Sequence, residues 1–184
     1  MTSTPVAPSH NMDFARIKAI TFDVDGVMTD GSLIAMDHSE FIRVFNAKDS
    51  FAARAAAMKG YALGVFTGGE TEGVHTRMLS MGVPEADIYM RCRGKIKAFE
   101  DFCHRHSLSA DEVLYLGDDI PDLPVVKAAG IGAVPADASP ELLEAADYVC
   151  SIPGGRGCLR EVIEKVLRAA GNWTFEPDCY EKIF

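Results

Sequence analysis

The chain has 184 residues, 48% of them hydrophobic and 24% charged, which sets it among globular proteins and favours a single domain. A net charge of −9 argues against a nucleic-acid partner, because phosphate backbones need basic patches, while local charge can still hold a small phosphorylated substrate. The five cysteines (Cys92, Cys103, Cys150, Cys158 and Cys179) are odd in number and show no CxxC spacing, so neither a zinc site nor a disulfide framework is indicated and a reducing compartment fits.

The chain starts with a polar, proline-containing stretch, Met1 to Asn11, that lacks the basic-then-apolar pattern of a secretory signal. It reads as a flexible leader reaching to residue 13. No apolar run approaches the ~18 residues a membrane span needs, so a soluble cytoplasmic protein with no membrane partner is expected. Ile17–Phe22 is a continuous apolar run, as in a strand buried on both faces. Leu33–Ala35 and Phe41–Phe45 flank the polar stretch Met36 to Glu40 and read as a hairpin. Asp49–Lys59 is an alanine-rich helix capped by Asp49 or Ser50, with Ala52, Ala55, Ala56 and Met58 as its core stripe. Then come a strand at Ala62–Phe66, a helix at Thr71–Met81 stopped by Gly82 and Pro84, and a short strand at Ile88–Met90. Lys95–His106 is a helix. Ser109 to Glu112 fits a capping box on a single turn before the strand Val113–Leu116. Ile120–Ala129 is a helix ended by Gly130, and Ile131–Val134 is a strand. A short helix opens at Ser139-Pro140-Glu141, Tyr148–Cys150 is a last strand, and Leu159–Ala170 is a terminal helix ended by Gly171. Strands alternating with helices predict an α/β fold with a doubly wound parallel sheet and right-handed crossovers. The hairpin is too small to be a second domain, so one domain is expected over residues 14–173, followed by a tail over residues 174–184.

Four polar clusters fall at strand ends or helix starts. Asp23 and Asp25 follow the first strand. Two carboxylates there are costly to keep charged without a cation, and a hard metal ion such as Mg²⁺ takes oxygen ligands. One of the pair can then act as a carboxylate nucleophile. Thr67, Gly68 and Gly69 follow the strand Ala62–Phe66 and offer a hydroxyl and backbone N–H groups to an anion; an ordinary glycine turn is the plainer reading. Asp118, Asp119 and Asp122 surround a glycine turn after Val113–Leu116. Helix capping accounts for one or two of the three, and metal coordination together with Asp23 and Asp25 accounts for all of them. Lys95 opens a helix, where the dipole disfavours a cation, and it can neutralise a phosphate and a carboxylate together; a solvated lysine is the bland alternative. His104 and His106 do not share a helix face and read as surface residues, and His38 and His75 have no partner near them in sequence.

Taken in this order, DxDG, a strand-end Thr, a Lys and GDDxxD resemble the haloacid dehalogenase superfamily of phosphatases. DVDGVMTDG, GDDIPDLPVVKAAGIG, VPADASPE and GGRGCLREVIEKVL extend the likeness over residues 16–173 to its small uncapped subgroup, which hydrolyses 3-deoxy-D-manno-octulosonate 8-phosphate. The resemblance implies that Asp23 is the nucleophile and Asp25 the general acid/base. It implies that Thr67 binds the transferring phosphoryl group beside the Gly68 and Gly69 backbone, and that Lys95 steadies both Asp23 and phosphate. Mg²⁺ is implied at Asp23, Asp118 and the Asp25 carbonyl, with Asp119 and Asp122 in support. It further implies a homotetramer built by the hairpin, in which a neighbouring subunit covers the site, and a role in lipopolysaccharide precursor synthesis. One departure stands out: Gly69 and Glu70 occupy the place where many members carry an arginine that contacts the sugar acid. Arg91, Arg93 and Arg156 are the candidate replacements. A nine-carbon, sialic-type ulosonate 9-phosphate is the alternative substrate, because enzymes for it also lack that arginine.

Overall fold

The computed structural model describes residues 12–37 and 41–176. The expected leader up to Asn11, His38 and the last residues of the tail, Cys179 among them, lie outside the described residues.

Six parallel strands form one sheet: β1 (Ala19–Phe22), β4 (Ala62–Phe66), β5 (Ile88–Tyr89), β6 (Val113–Leu116), β7 (Ile131–Val134) and β8 (Tyr148–Val149). Their spatial order is β5-β4-β1-β6-β7-β8, with β1 paired in parallel to both β4 and β6. β1, β6 and β7 are buried at every position, which is why they read as unbroken apolar runs. Between β1 and β4 the chain makes an antiparallel pair, β2 (Ile34–Ala35) and β3 (Phe41–Ile42), and a helix, α1 (Ala47–Met58). The other helices are α2 (Glu72–Ser80), α3 (Lys95–His106), α4 (Leu123–Ala128), α5 (Pro140–Ala145) and α6 (Cys158–Ala169). Two cores result. One packs α1 and α6 on one face of the sheet, with Val162, Ile163, Val166 and Leu167 among its fully buried side chains. The other holds Phe66, Phe99, Phe102 and Tyr115 under α3 and α4.

Several local expectations are corrected. Asn46, not Asp49 or Ser50, caps α1 and accepts from Lys48 N, because the Asp49 carboxylate is turned inward to accept from Arg160 N at 2.7 Å. Met58 leaves the core stripe and is exposed, whereas Ala52, Ala55 and Ala56 are buried. The helix expected over Ile120–Ala129 divides into a 3₁₀ turn, Ile120–Asp122, and the shorter α4. Phe45 packs on the core rather than on the hairpin. His75 does find a partner, Glu85 Oε1 at 2.9 Å, and His106 is drawn in by the buried Asp87 at 3.0 Å. The capping box forms as expected, with Ser109 N donating to Glu112 Oε2 at 3.0 Å.

Candidate active site

After β1 the chain leads to strands on one side of it, and after β6 to strands on the other. The loops leaving β1 and β6 therefore part and open a crevice at the carboxyl ends of the two strands, where ligands of such sheets sit. A cavity of about 500 Å³ opens there, lined among others by Asp23, Asp25, Thr67, Lys95, Asp118 and Asp122. All four polar clusters singled out in the sequence meet in it.

Gly26 shows why the β1 loop needs a glycine. Its φ is +89°, and a Cβ there would lie 2.0 Å from Asp118 Oδ2. The missing side chain lets the β6 carboxylate reach the β1 loop. Asp23, Asp118 and Asp122 each offer an oxygen within 4.8 Å of the others. Lys95, brought in by the first turn of α3, is buried and donates to Asp23 Oδ2 at 2.9 Å and to Asp122 Oδ1 at 2.5 Å. Asp122 also accepts from the Tyr115 hydroxyl and from the backbone of Asp118 at 3.1 Å and Asp119 at 3.3 Å. It is thus saturated by the lysine, the phenol and the turn. Asp119 is exposed at the rim. Thr67 is buried and its Oγ1 accepts from Gly69 N at 3.0 Å, which shapes the turn after β4.

Burial pushes the Asp23 carboxyl up to about 7 and, with the neighbouring charges of Asp23 and Asp122, the Asp118 carboxyl up to about 8. For Lys95, burial pulls the other way, but Asp23 and Asp122 overcome it and hold the ammonium above its ordinary value. One lysine therefore does not balance three crowded carboxylates. Asp118 Oδ1 is buried and has no hydrogen-bond partner. A lone buried carboxylate oxygen facing other carboxylates suits a hard divalent cation, so the residues present fit Mg²⁺.

The sequence reading missed Arg43. It follows β3 and pairs bidentately with Asp25, Nε to Oδ1 at 2.7 Å and Nη2 to Oδ2 at 2.9 Å. The neighbouring residues held a signal: Ile42 and Val44 are exposed, and Phe45, two residues on, packs against the core. Of the arginines considered from sequence, Arg91 and Arg93 line a second cavity adjoining the first, Arg91 in an ion pair with Glu70 at 2.7 Å; Arg156 does not line it.

Residues 71–153 match the model of haloacid dehalogenase-like hydrolases. The chain is 34% identical over 168 residues, 91% of its own length and 88% of the relative's, to 3-deoxy-D-manno-octulosonate 8-phosphate phosphatase KdsC of Salmonella typhimurium. The chain belongs to the haloacid dehalogenase-like hydrolases. Among solved structures of this hydrolase family it is similar to the 3-deoxy-D-manno-octulosonate 8-phosphate phosphatase of Yersinia pestis, with a TM-score of 0.84 and 32% identity, covering 91% of this chain and 90% of that one. The phosphatase of the same name from Moraxella catarrhalis, solved with magnesium, phosphate and a KDO molecule, matches with a TM-score of 0.84 and 27% identity, covering 92% and 94%. In this chain the acids converge at the carboxyl ends of the central strands.

Proposed function

We propose that this chain is a Mg²⁺-dependent phosphatase that hydrolyses 3-deoxy-D-manno-octulosonate 8-phosphate to the free sugar acid and phosphate, in lipopolysaccharide precursor synthesis. The observation that carries the reading is the buried Asp23 carboxylate fixed by Lys95 at 2.9 Å beside the unpartnered Asp118 oxygen. The relatives described above support the eight-carbon substrate over the nine-carbon one.

Asp23 attacks phosphorus, and the bond from phosphorus to the sugar oxygen breaks, leaving an aspartyl phosphate on Asp23. Asp25 gives the leaving alkoxide its proton and then takes one from the water that hydrolyses the intermediate. Thr67 and the Gly68 and Gly69 backbone hold the phosphoryl oxygens, and Lys95 keeps Asp23 aligned and offsets charge on phosphate. Asp23, Asp118 and the Asp25 carbonyl would hold Mg²⁺, with Asp122 and Asp119 ordering the turn behind Asp118. When bound, the ion neutralises phosphate charge that these carboxylates would otherwise repel.

The hairpin's Leu33, Ile34, Phe41, Ile42 and Val44 are exposed, an apolar load that supports a homotetramer closed by hairpin contacts. A cytoplasmic location and a catalytic domain over residues 14–173, between a leader and a tail, complete the proposal. Among the described residues no helix is long and apolar enough to cross a membrane.

The test compares kcat/KM across eight- and nine-carbon ulosonate phosphates, with Mg²⁺ and with excess chelator, for wild type and Asp23→Asn. The expected outcome is preference for the eight-carbon substrate, silence in chelator, and a loss of roughly 10³-fold or more in the variant with its fold retained. Full activity of metal-stripped enzyme, or of Asp23→Asn, would overturn the reaction assigned here.

A further inference from the structure

Arg43 lies in a segment whose neighbours face outward: Ile42 is 48% and Val44 75% exposed, yet the Arg43 side chain is 5% exposed. It lines the cavity of about 420 Å³ that adjoins the reaction cavity, and its partner Asp25 lines both, as do Gly68, Gly69 and Arg93. The fork grips both oxygens of Asp25, and Nη1 donates to Thr71 Oγ1 at 3.2 Å. Gly69 lies against this group: a Cβ there would come 3.4 Å from Arg43 Nη2, in ordinary contact, and more tightly, 3.2 Å, from Thr67 Oγ1. The second cavity is cationic in an acidic protein: Arg43, Arg91 and Arg93 stand against only Asp25 and Glu70.

This arrangement has a chemical consequence under the function proposed above, on which the inference rests. A ulosonate phosphate carries two anions. Lys95 and the metal site answer the phosphate, and the sugar carboxylate needs a second cation one cavity away. A bidentate guanidinium matches a carboxylate in shape as well as charge, which an ammonium does not. We infer that Arg43 is the specificity-determining residue that binds the substrate carboxylate, and that it does so by exchanging Asp25 for the substrate. With no sugar acid present, the fork is occupied by Asp25. An incoming carboxylate replaces Asp25 on the fork, so the guanidinium stays paired, and the released Asp25 carboxylate takes a proton from solvent, which it then gives to the leaving oxygen. A phosphate ester without a carboxylate offers no replacement, and Asp25 stays held. Discrimination then appears in kcat as well as in KM.

Steady-state kinetics of wild type, Arg43→Met and Arg43→Lys test this, using 3-deoxy-D-manno-octulosonate 8-phosphate and a neutral hexose 6-phosphate, both with Mg²⁺. Wild type should prefer the acid. Arg43→Met should lower kcat/KM for the acid roughly 10- to 100-fold more than for the hexose ester, and Arg43→Lys should recover part of the gap, since it keeps charge without the fork. Parallel losses on both substrates, with wild type still preferring the acid, would reduce Arg43 to a support for Asp25 and overturn this inference alone. A wild type that prefers the hexose ester would overturn the substrate reading as well. Should Arg43→Met fail to fold, Thr71→Val removes the shorter of the two Nη1 anchors instead, leaving the Phe41 carbonyl at 3.4 Å: a KM rise confined to the acid supports the exchange, and equal behaviour on both substrates contradicts it.

Discussion

Replacing Lys95 with Met removes the one cation lying between Asp23 and Asp122. The pair contacts are short, 2.9 and 2.5 Å, and the three side chains are 6%, 10% and 0% exposed, so solvent screens them little. Breaking a buried pair by deleting one partner leaves an uncompensated charge and costs about 3–5 kcal/mol. For a chain of this size that is a drop of about 6–20 °C in Tm. The assay is thermal unfolding in chelator, repeated with saturating Mg²⁺. The gap between wild type and Lys95→Met should narrow with Mg²⁺, since a cation at Asp23 and Asp118 replaces part of the missing charge. Adding Asp122→Asn should recover stability in the Lys95→Met background, because the orphaned carboxylate is gone. A Lys95→Met protein melting within about 2 °C of wild type in chelator would refute the reasoning, and the ammonium would then contribute nothing to holding the site together.

Asp49 supplies a pH test. Burial pushes its carboxyl up to about 6, its Oδ1 accepts from Arg160 N, and its Oδ2 has no partner. A folded value above the unfolded 3.8 means that the group's contribution is greatest below about pH 4 and is lost as pH rises through 6. Asp49→Asn should therefore gain about 3 kcal/mol relative to wild type between pH 4 and pH 8, read from urea unfolding; a constant difference would contradict it. On the hairpin, Ile34→Asp or Phe41→Asp should shift light scattering toward the monomer and lower activity with it. A wild type already monomeric at micromolar concentration and fully active would remove the hairpin from assembly.

The strands β4, β6 and β7 and the helix α3 lie where the sequence puts them, because continuous apolar runs broken by glycine and aspartate leave little freedom in setting their ends. The meeting of Asp23, Thr67, Lys95 and Asp118 was legible for a related reason: each stands at a strand end or helix start, and a doubly wound sheet gathers such ends on one side. What escaped was set by contacts between distant parts of the chain. Asp49 looks like a cap until its carboxylate is seen at Arg160 N, 111 residues away. The helix after Asp119 is interrupted because Asp122 turns back on the amides before it. Arg43 reads as one more charge on a hairpin, and only the tertiary structure reveals that a carboxylate waits on its inward face.

The loop before α6 reaches back to the first strand's loop. Gly155 N donates to Val27 O at 2.9 Å, and Cys158 Sγ lies 3.2 Å from the same carbonyl across 131 residues of sequence. β1 itself is held on one side by β6, which the chain supplies only at Val113. The loop after β1 is therefore locked by partners that come much later in the chain. Asp23 and Asp25 thus gain the backing of their loop only when segments far along the chain have folded onto it, which ties the order of this site to the completion of the sheet and the docking of α6.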